Sequence, residues 1–173
     1  MSVEDARGLP AGARIDADVC VVGGGAAGLS LAMELISQGR SVCLLEGGGE
    51  RPDDATQSLY DLSSSGDPLR QNYMSRARQF GGSCNLWAGR SMLLDPLDFE
   101  PRDWVPGSGW PIPRQALAQY YTEAARALEL PQLQGDDLSR FLQPLTDDEQ
   151  RMFAQGDFRP TVSLWARNTQ RFG

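Results

Sequence analysis

The stretch Val19-Cys20-Val21-Val22-Gly23-Gly24-Gly25-Ala26-Ala27-Gly28-Leu29-Ser30 runs an apolar segment straight into four glycines, and the reading of those glycines decides the fold. Upstream, Ala17 to Val22 is a short valine-rich run that reads as a buried strand. Downstream, Ala26 to Gln38 places Ala27, Leu31 and Leu35 at helical spacing, and Gly39 reads as the helix stop. Ser41 to Leu45 is a second apolar run and hence a second strand, so strand, helix and strand follow in close order. Such a unit pairs its strands in parallel and crosses over right-handed.

Within it, Gly23 to Gly28 satisfies G-x-G-x-x-G. Gly23 permits the tight turn, Gly25 lets backbone approach a pyrophosphate, and Gly28 allows the helix to pack close to the strand. The free N–H groups at the helix start, around Ala26 and Ala27, face the anion. Glu46 ends the second strand at the spacing where a carboxylate accepts from ribose hydroxyls, with Gly47 beside it, and a negative charge there disfavours a 2′-phosphate. The alternative for Glu46 is a solvated loop carboxylate. The glycine cluster therefore points to an adenine dinucleotide, although the βαβ unit alone does not choose between NAD and FAD.

Composition narrows the remaining classes. The 173 residues carry 16 basic and 23 acidic groups, a formal charge of -7, which leaves no positive stripe for a nucleic-acid backbone. No apolar run reaches a membrane-spanning length, and the start lacks the basic-then-apolar order of a signal peptide, so a cytoplasmic location is expected. Cys20, Cys43 and Cys84 are odd in number and the first two lie in apolar runs, which suits buried thiols better than a disulfide framework or a metal site; no metal is expected. The chain contains no histidine, which removes histidine triads and histidine metal sites from consideration.

A second glycine motif follows in Gly81-Gly82-Ser83-Cys84-Asn85-Leu86-Trp87. Paired glycines admit a ligand against backbone, Ser83 and Asn85 offer donors, and Trp87 offers a flat wall. An ordinary loop beside a core tryptophan fits the same spacing. Arg76 and Arg78 precede it, as solvated residues or as contacts to a phosphate.

The segments Arg76 to Arg90, Leu94 to Arg102 and Gly109 to Tyr121, in that order, resemble the glucose-methanol-choline (GMC) family of flavoprotein oxidoreductases, nearest its bacterial sugar and polyol dehydrogenase and pyranose-oxidase-like branch. The likeness runs from about Asp18 to Leu128. It implies FAD, and hydride transfer from an alcohol, polyol or sugar CH–OH group to the flavin, with the electron acceptor (oxygen, quinone or cytochrome) left open. It also implies that the Gly81 loop runs past the pyrophosphate and flavin ring. Some relatives carry a flavin-linking histidine just before the tryptophan; here Leu86 stands there, so FAD is expected to be non-covalent. Gly23, Gly25, Ala26, Ala27, Gly28, Glu46, Gly47, Arg78, Gly81, Gly82, Ser83, Asn85 and Trp87 are the expected cofactor residues.

The expected architecture is α/β: a tail over 1–14, a Rossmann-like FAD-binding domain with an incomplete sheet over 15–100, and the start of a helical, substrate-domain segment over 101–173. In the last, Pro113 opens a helix whose apolar face is Leu117, Tyr120, Tyr121, Ala124, Ala125 and Leu128, with Pro131 as its stop. Trp104 and Trp110 are candidate pocket walls. Residues 132–150 read as loop, with a short helix near Asp147 to Ala154. The resemblance places catalytic residues beyond Gly173, so the chain is expected to be an N-terminal fragment with no catalytic residue of its own and an exposed sheet edge. The alternatives are a non-catalytic dinucleotide-binding module, another flavoprotein class, or an NAD-dependent dehydrogenase.

Overall fold

The computed structural model describes residues 2–63, 65–66, 75–130, 146–149, 151 and 163–166. The chain divides into two compact units, one spanning Met1–Leu86 and the other Trp87–Arg171.

The first unit is built on β1 (Val19–Val22), α1 (Ala26–Ser37) and β2 (Val42–Leu45). The strands pair in parallel, with Val19 opposite Val42 and Val22 opposite Leu45, as the apolar runs and their glycine connection require. Both strands are slightly shorter than their apolar runs. Asp18, just before β1, is spent on a cross-connection: its carboxylate accepts from the Ser41 N–H and Oγ–H, each at 2.8 Å, while its own N–H donates to Ser41 Oγ. That clasp ties the entry of β1 to the entry of β2.

Helix α1 ends in a Schellman turn. Gly39 adopts φ +79°, its N–H donates to Ile36 C=O and the Arg40 N–H reaches Leu35 C=O, so the terminal carbonyls are satisfied and the chain turns back into β2. A four-residue helix, α2 (Asp54–Gln57), follows, capped by the Asp53 carboxylate on the Thr56 N–H.

Val21 and Ala32 are buried between strand and helix, but the expected burial of the whole strand does not hold. Val21 faces α1, so alternation turns Cys20 and Val22 to the opposite side, where Cys20 is exposed and Val22 is 82% exposed. Cys43 and Cys84 are half-buried. The thiol of Cys20 is therefore not the core group its apolar run suggested, because among the described residues only one face of the sheet is covered.

In the second unit, β3 (Arg90–Ser91) pairs antiparallel with β4 (Leu164–Trp165). A 3₁₀ turn over Pro96–Phe99 is closed by a reciprocal capping box between Asp95 and Asp98. Pro113 caps a further 3₁₀ turn, Arg114–Leu117, which continues into α3 (Ala118–Ala127). The expected apolar face of this helix narrows: Leu117, Tyr121, Ala125 and Leu128 are half-buried, whereas Tyr120 and Ala124 are exposed. The i, i+4 stripe packs and its flanks do not. The helix ends with Glu129 at φ +56° in a second Schellman turn, before the expected stop at Pro131, which lies outside the described residues. Of the short helix expected near Asp147 to Ala154, Asp147 to Glu149 and Arg151 are helical and the remainder lies outside the described residues.

Candidate dinucleotide site

The site grows from the junction of β1 and α1. Gly23 takes φ +104°, a conformation that side chains disfavour, and its N–H donates to Leu45 C=O at 2.7 Å, so the turn starts while the chain is still held to β2. Gly28 is required by packing: a Cβ there would stand 1.9 Å from the Gly23 carbonyl oxygen. This is the close helix–strand approach that the third glycine of the motif allows.

Gly25 differs from both. It is the N-cap of α1 in extended backbone, with no side-chain cap, and a Cβ added to it would meet nothing within 4 Å. The first N–H groups of α1, those of Ala26, Ala27 and Gly28, have no acceptor within the helix, and the helix dipole adds partial positive charge there. An uncapped helix end with open space at its N-cap glycine suits an incoming anion.

Glu46 is bound more tightly into the protein than a ribose ligand alone would need. Its Oε2 accepts from the Gly24 N–H at 2.6 Å and its Oε1 from the Gly48 N–H at 2.8 Å. The carboxylate thus clamps the glycine turn to the loop after β2. An ionised carboxylate offers about four acceptor positions, so two of them remain for hydroxyl donors. Gly24 is buried between this carboxylate and the Phe80 ring, and a Cβ there would press on both, at 3.1 Å from Oε2 and 3.3 Å from the ring.

The second glycine loop packs directly on the first. Gly81 N–H donates to Gly24 C=O at 2.8 Å, Phe80 N–H donates to Gly49 C=O, and a Cβ on Gly82 would lie 3.2 Å from Gly25 Cα. Gly81 and Gly82 both have positive φ. Gly23–Gly25, Glu46–Gly49 and Phe80–Gly82 therefore form one backbone-lined cradle. The expected donors of this loop are turned inward: the Asn85 amide donates to Phe80 C=O and Gly82 C=O, and Ser83 Oγ accepts from the Ala77 N–H. Both side chains hold the loop's shape. Trp87 belongs to the second unit and is half-buried there. In that unit Trp104 is 76% exposed, and Trp110 is half-exposed with its ring 6.1 Å from Phe99.

Arg78 lies against Gly47, where a Cβ would meet its guanidinium at 2.5 Å, and its Nε is buried without a hydrogen-bond partner. Its guanidinium stands 5.5 Å from the centre of the Tyr60 ring, and that of Arg76 stands 5.7 Å from the same ring. Cation–π attraction to a shared ring offsets some of the repulsion between the two charges. Gln57 organises both arginines: its amide donates to Arg76 C=O, and its Oε1 accepts from the Arg78 N–H, each at 2.9 Å. Sequence reasoning missed Gln57 and Tyr60, whose link to 76–78 is made only by folding. Their one sequence signal is an aromatic and an amide just after a small capped helix.

Comparison with known proteins agrees with this geometry. The family model of the FAD-dependent oxidoreductases (DAO) matches residues 18–128, well over half of the chain. The chain belongs to the FAD-dependent oxidoreductase family. Its relatives include a paromamine 6′-oxidase from Streptomyces fradiae, 30% identical over 123 residues, and a 6‴-hydroxyparomomycin C oxidase from Streptomyces lividus, 27% identical over 123 residues. Each alignment covers 64% of this chain, and the aligned part is 23% and 22% of the respective relative. The chain thus spans under a quarter of the length of these curated relatives. No solved structure gives a significant match. The family's FAD fits the residues present: an uncapped helix end for the pyrophosphate, a carboxylate with spare acceptor positions for ribose, and a buried unpaired guanidinium nitrogen on Arg78. Among the described residues no helix is long and apolar enough to cross a membrane, and no group of three or more histidine, cysteine or acidic side chains could hold a metal.

Proposed function

We propose that this chain is the FAD-binding part of a GMC-type enzyme that oxidises a CH–OH group of an alcohol, polyol or sugar. The observation that carries the reading is the cradle, in which the open, uncapped start of α1 at Gly25 is bonded through Gly24 to the Gly81–Gly82 loop. Gly23, Gly25, Ala26, Ala27 and Gly28 would hold the pyrophosphate, and Glu46 with Gly47 the adenosine ribose. Arg78 would add positive charge beside that loop, while Gly81, Gly82, Ser83, Asn85 and Trp87 would shape the approach to the flavin. FAD is non-covalent in this reading, since Leu86 has no nucleophile to offer. The names of the two Streptomyces relatives support a sugar-like substrate and make an aminoglycoside hydroxyl the first class to test.

Bound FAD supplies the two-electron acceptor for substrate hydride. This chain's own residues bind and orient it by backbone amides and the Glu46 carboxylate. The hydroxyl proton needs a base of suitable pKa, and with no histidine present and Glu46 committed to the cradle, no base is assigned to that role among the described residues. The 1–173 chain alone is therefore proposed to lack catalytic residues, as an N-terminal fragment of a longer cytoplasmic enzyme. The domain limits 1–14, 15–100 and 101–173 belong to the same proposal.

The test is reconstitution of the chain with excess FAD, followed by anaerobic addition of alcohols, sugars and paromamine while the flavin absorption band is watched. Retained flavin without substrate-dependent bleaching is the expected result for 1–173. A longer reading frame, expressed whole, should bleach with at least one sugar or alcohol. Failure of both chains to retain flavin would overturn the assignment.

A further inference from the structure

Gln57 ends α2, yet both groups of its side-chain amide are used outside that helix. The NH₂ donates to Arg76 C=O and Oε1 accepts from the Arg78 N–H, each at 2.9 Å. A glutamine amide carries a donor and an acceptor side by side, as a peptide group does. It pairs with the chain on either side of Ala77 in the manner of a neighbouring strand. Ala77 itself is buried, and its N–H donates to Ser83 Oγ in the second glycine loop at 3.2 Å. Two elements therefore hold the backbone of 76–78 at once: α2 and the loop that closes the cradle.

The consequence is a fixed position for one guanidinium. The Arg78 side chain covers Gly47, and a Cβ on Gly48 would run into the Arg78 carbonyl. Gly48 also donates its N–H to Glu46, so Arg78 rests on the loop that Glu46 clamps. The Tyr60 ring, with its centre 5.5 Å from the guanidinium carbon, adds a further constraint. Despite these contacts the Arg78 Nε is buried without a hydrogen-bond partner. An unpaired buried donor in a native fold calls for a reason, and a charge held ready beside an anion site supplies one.

We infer that Gln57 is a positioning residue for FAD, which holds Arg78 in place for the phosphates of the cofactor without itself reaching them. The inference rests on the FAD reading of the cradle. An arginine side chain has much rotamer freedom to lose, and fixing it before the cofactor arrives lowers the cost of binding. Few side chains can make this link. A carboxylate lacks the donor for Arg76 C=O, and asparagine offers the same amide one methylene short.

FAD titrations of the 173-residue chain, followed by flavin fluorescence over a range of salt concentrations, test this with Gln57→Met, Arg78→Met and the double variant. Gln57→Met keeps most of the side-chain volume and removes both hydrogen bonds. FAD affinity should fall about tenfold in Arg78→Met and about threefold in Gln57→Met. The double variant should lose no more than Arg78→Met alone, because Gln57 acts through Arg78. Affinity should also depend less steeply on salt in Gln57→Met than in the parent, as a displaced charge requires. Gln57→Asn, a milder change at a helix end, should weaken FAD binding in the same way, and thermal melts without FAD show that each variant is folded. Parent-like FAD affinity in folded Gln57→Met or Gln57→Asn would overturn the inference, as would additive losses in the double variant or an unchanged salt dependence. A parent chain that binds no FAD would instead overturn the FAD reading, and this inference with it.

Discussion

The glycine cradle of the first unit and the proline-rich segment of the second solve the same problem, holding irregular chain in place, by different means. In the cradle, backbone is bonded to backbone: Gly81 N–H to Gly24 C=O, Phe80 N–H to Gly49 C=O, and Gly23 N–H to Leu45 C=O. Glycine is demanded there by positive φ at Gly23 and Gly81 and by tight contacts at Gly24 and Gly82. Between Asp95 and Pro113 the chain is held by local devices instead, namely the Asp95–Asp98 capping box and the Ser108 hydroxyl, which accepts from the Arg102 N–H. Large apolar groups such as Trp104 remain in solvent there. The cradle is built to leave a shaped opening; the second segment only sets the direction of the chain.

That contrast is broken most severely at Gly28. A side chain there collides with the Gly23 carbonyl, which is backbone and cannot swing aside, so Gly28→Val should separate α1 from β1. We expect a loss of about 3 kcal/mol, at the upper end for overpacked sites, together with loss of all bound FAD. Thermal unfolding and flavin retention measured on the same preparation check both. A variant that melts like the parent would show that the helix does not approach the strand as closely as described.

Gly25→Val sharpens the comparison because it separates fold from ligand. Open space surrounds a Cβ at this position and its φ of −80° suits any residue, so stability should fall by only about 1 kcal/mol, the difference between glycine and valine at an N-cap, well short of the loss at Gly28. FAD should nevertheless be lost, since the branched side chain occupies the opening at the helix N-terminus. Flavin retained at one per chain would place the pyrophosphate elsewhere. A loss of stability as large as that at Gly28, together with flavin, would make Gly25 another packing glycine.

Glu46→Gln comes next in size. The carboxylate serves two backbone donors, the Gly24 and Gly48 N–H groups, with its two oxygens. An amide has one acceptor oxygen and turns an NH₂ group toward the other donor. One half-buried N–H is then left unpaired at a cost of about 1–3 kcal/mol. Denaturant unfolding should show that loss without FAD, and FAD affinity should fall further. A loss seen only with FAD bound would mean that the carboxylate acts on ribose alone.

The same residues show what was legible in the sequence. Gly23, Gly25, Gly28 and Glu46 have fixed spacing along one βαβ unit, so their meeting follows from local rules and the strand pairing came out in parallel. The double role of Glu46 as a clamp on its own backbone was not legible, because it depends on where Gly48 N–H points after β2. Gln57 and Tyr60 were invisible for a related reason: they reach Arg76 and Arg78 across chain that no periodicity connects. The burial of β1 was overread. Apolar runs predict strands, but which face is covered depends on what packs against it, and here Cys20 and Val22 lie on the open side.

The smallest expected effect is at the clasp that joins the strand entries. Hydrogen bonds from the Ser41 N–H and then from its hydroxyl hold the Asp18 carboxyl below its ordinary pKa of 3.8. The unfolded chain, with the higher pKa, takes up this proton first as the pH falls, so it binds more protons than the folded chain between the two values. Stability from the clasp is therefore fully present above pH 3.8 and lost as pH falls through the lower, folded value. Because Asp18 is exposed, the effect is small and screened by salt. Asp18→Asn still accepts one bond from Ser41 but carries no charge, so its stability should lack this contribution at neutral pH and approach that of the parent in acid. Urea midpoints of the two proteins, compared from neutral pH to below the carboxylate range, should converge as the pH drops. A difference that stays constant across that range would mean that the Ser41 bonds do not depend on the charge of Asp18.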